Sequence, residues 1–170
     1  IVILSFLIAI GLEAQIQLNI GSGEVDANQN LAIDVKVSNF TQMSSMQFSL
    51  NWDSTAFSFV SVTNIVTLTG FEQESFGKPG DQLIKNGQLG VTWYDASGKT
   101  LANDTRLFTL NLRAKNQPCK MSSLALTDNP TEILFVNSNL DIVTYTAPAG
   151  SIKIKGTDCG GGNTTDLTIT

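Results

Sequence analysis

Histidine is missing from this chain altogether, and cysteine occurs only twice, as Cys119 and Cys159. Without an imidazole, the Ser-His-Asp and Cys-His arrangements of nucleophilic catalysis have no general base. A zinc site would have two thiolates and no third ligand of the usual kind. Charge is scarce as well, at 15% of residues, and its balance is acidic at −5. That argues against nucleic acid and against an anionic membrane surface as partners. Beyond residue 14 no apolar run is long enough to cross a bilayer of ~30 Å as a helix. No phosphate-cradling glycine loop occurs, since Gly160-Gly161-Gly162 neither follow a strand nor open a helix.

What the chain does hold is apolar and neutral-polar. Hydrophobic residues make up 42% of its 170 positions, enough for one domain with a core of its own. The opening "IVILSFLIAIGLEAQ" runs apolar from Ile1 to Ile10 and ends in small and polar residues at Ala14-Gln15. It reads as the remnant of a secretory signal, so residues 1–14 stand outside the fold and the product is expected to be secreted or held at the cell surface. Export permits a Cys119–Cys159 disulfide closing a loop of ~40 residues, worth about 4 kcal/mol in the chain-entropy model. Two unpaired thiols are the alternative.

Between residues 15 and 156 short alternating runs recur with turn signals between them, and almost nothing has helical period. "IQLNI" (16–20) stops at Gly21-Ser22-Gly23. "NLAIDVKVSNF" (30–40) sets Leu31, Ile33, Val35 and Val37 on one face. In 46–52, Met46, Phe48, Leu50 and Trp52 point one way and Gln47, Ser49 and Asn51 the other. Asp53-Ser54-Thr55 then breaks the run, with Asp53 suited to accept backbone N–H bonds in a tight turn, and Phe57, Phe59 and Val62 return to the same core. An irregular passage covers 64–87, followed by runs at 88–95, 106–115, 122–127, 141–146 and 151–155. About nine strands with one apolar face each predict two sheets packed face to face, an all-β sandwich. The segment 157–170 reads as a Gly-rich linker and the start of a following module at "DLTIT".

The stretch "VKVSNFTQMSSMQFSLNWDSTAFSFVSV", with "GQLGVTWYD", "LFTLNLRAK" and "AGSIKIK" after it, resembles the cohesin-type module, with Trp52 in place of the usual Tyr. The likeness runs from Ile16 to Gly156, and "TWYDASGKTLANDTRLFTL" resembles a version found in surface and secreted proteins of Bacteroidetes-type bacteria. It implies a nine-stranded jelly-roll β-sandwich without catalytic residues or cofactor. Its implied work is protein–protein contact, adhesion or spacing in a multi-domain protein, including dockerin recognition in polysaccharide-degrading assemblies. In cohesins a sheet of strands three, five, six and eight grips the dockerin, a small calcium-loaded helical protein. Carried over, the outward positions are Ser45, Gln47, Ser49 and Asn51, then Thr92 and Tyr94, then Thr109, Asn111 and Arg113, with Leu107 adding contact area. Cellulosomal cohesins often carry an Asn/Asp pair where Ser45 and Gln47 fall, and this chain departs from that pattern.

Other chemistry is less well supported. "DANQN" (26–30) imitates the start of a calcium loop, but its sixth position is Leu31 and its twelfth is Val37, so a polar β-turn is expected. A glycosidase needs two carboxylates ~5–10 Å apart across a cleft. Glu72 and Glu74 share one loop, and Asp81, Asp95 and Asp104 sit in turns. A carbohydrate-binding module is the rival, but parity turns Phe48, Trp52 and Trp93 inward and leaves Tyr94 outward, with Tyr145 undecided. A purely structural spacer is the third reading.

Overall fold

A computed structural model describes residues 15–78, 80–157 and 159. The apolar segment 1–14 and the "DLTIT" run therefore lie outside the described residues. Among the described residues eleven strands occur: β1 (Ile16–Ile20), β2 (Gly23–Val25), β3 (Asn30–Ser38), β4 (Met43–Asn51), β5 (Phe57–Thr63), β6 (Gln88–Lys99), β7 (Thr105–Ala114), β8 (Met121–Thr127), β9 (Leu134–Asn137), β10 (Tyr145–Thr146) and β11 (Gly150–Ile154). A 3-10 turn at Gln73–Ser75 and a single α-helical turn, α1 (Gln82–Lys85), interrupt the irregular passage.

The strands form two sheets, ordered β10-β1-β3-β7-β5 and β2-β11-β8-β4-β6, with β9 pairing β4 beside β8. Alternation decides which side of each strand is dry. Ile16, Leu18, Ile33, Val35, Val37, Leu110 and Leu112 from the first sheet meet Met46, Phe48, Leu50, Leu89, Val91 and Ile152 from the second, all nearly solvent-free. Aromatic rings fill the space between. Phe76 meets Phe108 edge-on at 5.0 Å and Phe71 at 5.2 Å, while Phe48 stacks on Phe135 at 6.2 Å. Buried rings of this size are each worth a few kcal/mol to the fold.

The expected sandwich is present, with eleven strands in place of nine. Two short strands, β2 and β9, were not anticipated. The run 141–146 is also not one strand, for a geometric reason. Val143 N–H donates to the Phe135 carbonyl in the second sheet, and the Thr144 carbonyl accepts from Ile16 N–H in the first. One stretch thus serves both sheets, and only Tyr145–Thr146 keeps strand pairing, parallel to β1.

Local chemistry sets the ends. After β4 the Asp53 carboxylate accepts from Thr55 N–H at 2.8 Å, and the Asp53 carbonyl accepts from Ala56 and Phe57 N–H. The Trp52 indole donates to the Phe57 carbonyl at 3.0 Å, holding the turn against β5. "DANQN" forms a polar turn in which Gln29 N–H donates to the Asp26 carbonyl and Asp26 faces Lys155. Cys119 and Cys159 are bonded to each other, with their Cα atoms 4.9 Å apart, which ties the chain beyond β11 to the β7–β8 connection.

Candidate functional site: the outer face of β9, β4 and β6

β4 lies inside the second sheet, and its alternate residues point away from the core. Register places them in rows across the sheet. Ser45 stands opposite Tyr94 on β6 and Val136 on β9, and Val136 bridges in turn to Ile142. Gln47 stands opposite Thr92 and Leu134. Directly opposed residues share a face, so Ile142, Val136, Ser45 and Tyr94 make one band and Leu134, Gln47 and Thr92 the next. Tyr94 is 69% exposed, Ile142 75% and Leu140, at the tip of the β9 hairpin, 81%.

One flank of this face is built by the passage before α1. Phe76 bridges to Val91, Gly77 N–H reaches the Gly90 carbonyl at 3.3 Å, and the Trp93 indole donates to the Thr69 carbonyl at 2.9 Å. These bonds hold Gly70, Glu74 and Ser75 beside Ser45, Gln47, Thr92 and Tyr94, forming a shallow open hollow. The other flank is a loop, residues 128–133. β8 and β9 share the same edge of β4, yet Leu134 follows Thr127 by seven positions while their partners Gln47 and Ser49 are two apart. The surplus loops outward over the face. Its Thr131 N–H donates to Ser49 Oγ at 2.8 Å, Ser49 Oγ donates back to the Thr131 carbonyl, and Gly90 lies beneath the Thr131 side chain.

The anticipated residues divide accordingly. Ser45, Gln47, Thr92 and Tyr94 lie together on this face, and Asn51 sits at its far end opposite Gln88 and Ala125. Ser49 faces the same way but is buried under the 128–133 loop, so it is no contact residue. Leu107, Thr109, Asn111 and Arg113 do not belong to this face, because β7 lies in the other sheet between β3 and β5. Leu107 is buried in the core. A bulge pairs Val35 with Phe108 and Lys36 with Arg106, leaving Leu107 unopposed and turned inward. Thr109 is buried between Asp34 and Asn64, donating to Asp34 Oδ1 at 2.6 Å and accepting from Asn64 Nδ2 at 3.1 Å. The Asn111 amide donates to Thr63 Oγ1 and Ser61 Oγ, and Arg113 lies exposed opposite Ser58. The residues missed were Leu134, Val136, Leu140, Ile142 and Glu74. The apolar run "ILFV" before the turn at Asn137-Ser138-Asn139 was the available signal for β9.

Among the described residues, two carboxylates have pKa values lowered from their ordinary 3.8. Asp53 is lowered mainly by hydrogen bonds from the Thr55 hydroxyl and N–H, and Asp95 by those of Ser97. Asp53 closes the turn after β4, whereas Asp95, expected in a turn, lies within β6; each carboxylate accepts from the backbone N–H two residues on.

The description "Cohesin domain" belongs to the family model that matches residues 16–154. This chain belongs to the cohesin domain family. Solved structures similar to this cohesin include the sixth cohesin of Acetivibrio cellulolyticus scaffoldin B in complex with a Cel5 dockerin. That pair is 18% identical, covering 84% of this chain and 100% of that one, with a TM-score of 0.66. A type I cohesin–dockerin complex of Clostridium thermocellum, Coh-OlpA with Doc918, is 15% identical over 83% of this chain and 99% of that one, at a TM-score of 0.67. A non-cellulosomal cohesin of the archaeon Archaeoglobus fulgidus is 19% identical over 84% and 93%, at 0.63. No curated protein sequence matches this cohesin. At these identities the structural likeness speaks for the fold.

Proposed function

We propose that this cohesin is a secreted, non-catalytic docking module whose β9–β4–β6 face seats a protein partner of the dockerin type. The observation that carries the reading is the band Ile142–Val136–Ser45–Tyr94, exposed at its two ends and half-buried between, in which aliphatic, hydroxyl and phenol groups lie across the β9–β4–β6 sheet. A broad, open sheet face with an exposed Tyr and aliphatic side chains suits a helical partner better than a small substrate. Complexes of similar cohesins with dockerins support the same reading. The two shifted carboxylates, both lowered, are unlike a general acid, which needs its pKa raised. A planar sugar platform is not favoured, since the Tyr145 ring packs against Phe135 at 5.7 Å and leaves Tyr94 alone on the face. Secretion rests on the apolar segment 1–14.

The test is a pull-down with residues 15–159 against secreted and surface extract of the source organism, with and without a calcium chelator. The control is a Tyr94→Ala, Ile142→Ser double variant. A protein retained by the parent, and lost with chelator and with the variant, is the expected result. Retention of polysaccharide alone, or of nothing, would overturn the proposal.

A further inference from the structure

Among the described residues, six ion pairs join cations to carboxylates over the surface. The charges left without an opposite charge at salt-bridge distance, among the described residues, are not evenly spread. Five unpaired carboxylates flank the β9–β4–β6 face. Glu74 lines the hollow under Tyr94 and Glu72 is in the same loop. Asp128 and Glu132 belong to the loop seated on Ser49, and Asp141 sits between exposed Leu140 and Ile142. The unpaired cations gather elsewhere. Lys85 and Lys115 line a second hollow with Phe59, Val60 and Ile84 along β5. Arg113 lies on β7, next to the edge strand and opposite Ser58, and Lys78 lies in the turn before α1. The one acid in that region, Asp81, is engaged by the backbone N–H of Lys78.

Exposed apolar side chains divide in the same way. Tyr94, Leu140 and Ile142 accompany the acids, Val60 and Leu83 accompany the cations, and Met121 alone is elsewhere. The molecule therefore has an acidic apolar pole and a basic apolar pole. Tyr94 and α1 lie apart, because α1 and Gln88 mark one end of β6 and Tyr94 lies six residues along it, roughly 20 Å at ~3.3 Å per residue. Nor is the β5 edge open to an added strand. The Phe57 carbonyl accepts from Trp52 and the Val62 carbonyl from Gln73, and Val60 bulges out without a partner on β7. Contact there has to be made through side chains.

We infer that the acidic face of one copy docks head-to-tail on the basic β5–α1 edge of a second copy. The two surfaces differ, so each added copy leaves one pole free and the contact propagates. It also covers the face assigned above to a partner, so partner binding and self-association exclude each other. The inference uses the geometry of that face and does not depend on what else binds it.

Sedimentation velocity of residues 15–159 from micromolar to millimolar concentration tests it. The sedimentation coefficient should rise with concentration. A Glu74→Lys, Glu132→Lys variant and a Lys85→Glu, Lys115→Glu variant should each associate at least about tenfold more weakly. An equimolar mixture of the two should recover association, because each reversed surface then meets an opposite one. Lys115 also donates to the Ser54 carbonyl, so Lys85→Glu with Arg113→Glu replaces that variant if its thermal melt shows a loosened fold. A parent that stays monomeric, association indifferent to the reversals, or no recovery in the mixture would each overturn the inference.

Discussion

The outer faces of the two sheets differ in what their polar groups do. On the β3–β7–β5 face they bind one another. Asp34 holds Thr109 and Arg106, Asn64 holds Thr109, Asn111 holds Thr63 and Ser61, and Lys36 pairs with Asp104. On the β9–β4–β6 face Ser45, Gln47, Thr92 and Tyr94 have no such side-chain bonds among the described residues, while Ser44 and Ser49 beside them do. Polar groups already paired gain little from a partner, and unpaired ones exchange water for partner at small cost. Two faces that both carry polar side chains are therefore unequal as docking surfaces.

Four tests should break or sharpen that contrast. The largest effect comes from the core that both faces share. Phe108→Ala, which removes the ring packed edge-on against Phe76, should cost about 3–5 kcal/mol and disturb both faces alike. Urea unfolding followed by near-UV circular dichroism measures it. Next comes the disulfide, whose closed segment holds β8, β9 and β11 but only the short β10 of the other sheet. A Cys119→Ser, Cys159→Ser variant should lose up to about 4 kcal/mol. Hydrogen exchange should quicken most in β8, β9 and β11. Equal protection loss in β3 and β7 would contradict it.

The third test is reciprocal. Asp34→Ala strands Thr109 and Arg106 and should cost about 1–3 kcal/mol of stability with partner affinity unchanged. Tyr94→Ala should cost under about 0.5 kcal/mol of stability yet about thirtyfold in partner affinity. Calorimetric melts and titrations on both variants decide it, and matching profiles would erase the distinction.

The smallest effect is a pH dependence. Asp53 has a folded pKa below its ordinary value of 3.8, so the folded state favours its charged form. Its contribution is present above that ordinary value and fades as pH falls through the lower folded pKa. It should amount to under about 1 kcal/mol, since Lys120 and the turn around it are solvent-washed. Asp95, lowered by Ser97, acts with the same sign. Melting temperatures of parent and Asp53→Asn below pH 4 should converge as the parent loses what the variant never had.

Strand identity was legible in β1, β3, β4, β5, β6, β7, β8 and β11, because period-two alternation there reflects one dry face. Sheet membership was not, since a strand in either sheet alternates in the same way. That is why β7 was placed beside β4 and β6. The burial of Ser49 depends on Thr131, eighty-two positions away, and no local pattern reports it. Leu107 defeats parity through a bulge whose cause is the register of β3 against β7. Of the face itself, Ser45, Gln47, Thr92 and Tyr94 were readable. Its apolar half was not, because β9 has only four residues and the segment after it divides between sheets.

The loop at 128–133 has an evolutionary consequence. It separates two half-strands whose alignment on β4 is set independently, Ala125–Thr127 on one side and Leu134–Asn137 on the other. Insertions or deletions between them leave both alignments intact. They change only how much of the face is roofed over. Lineages sharing this scaffold can therefore change how much of the face is covered without touching a residue of the sheet, as long as the Thr131 backbone that satisfies buried Ser49 is kept or replaced.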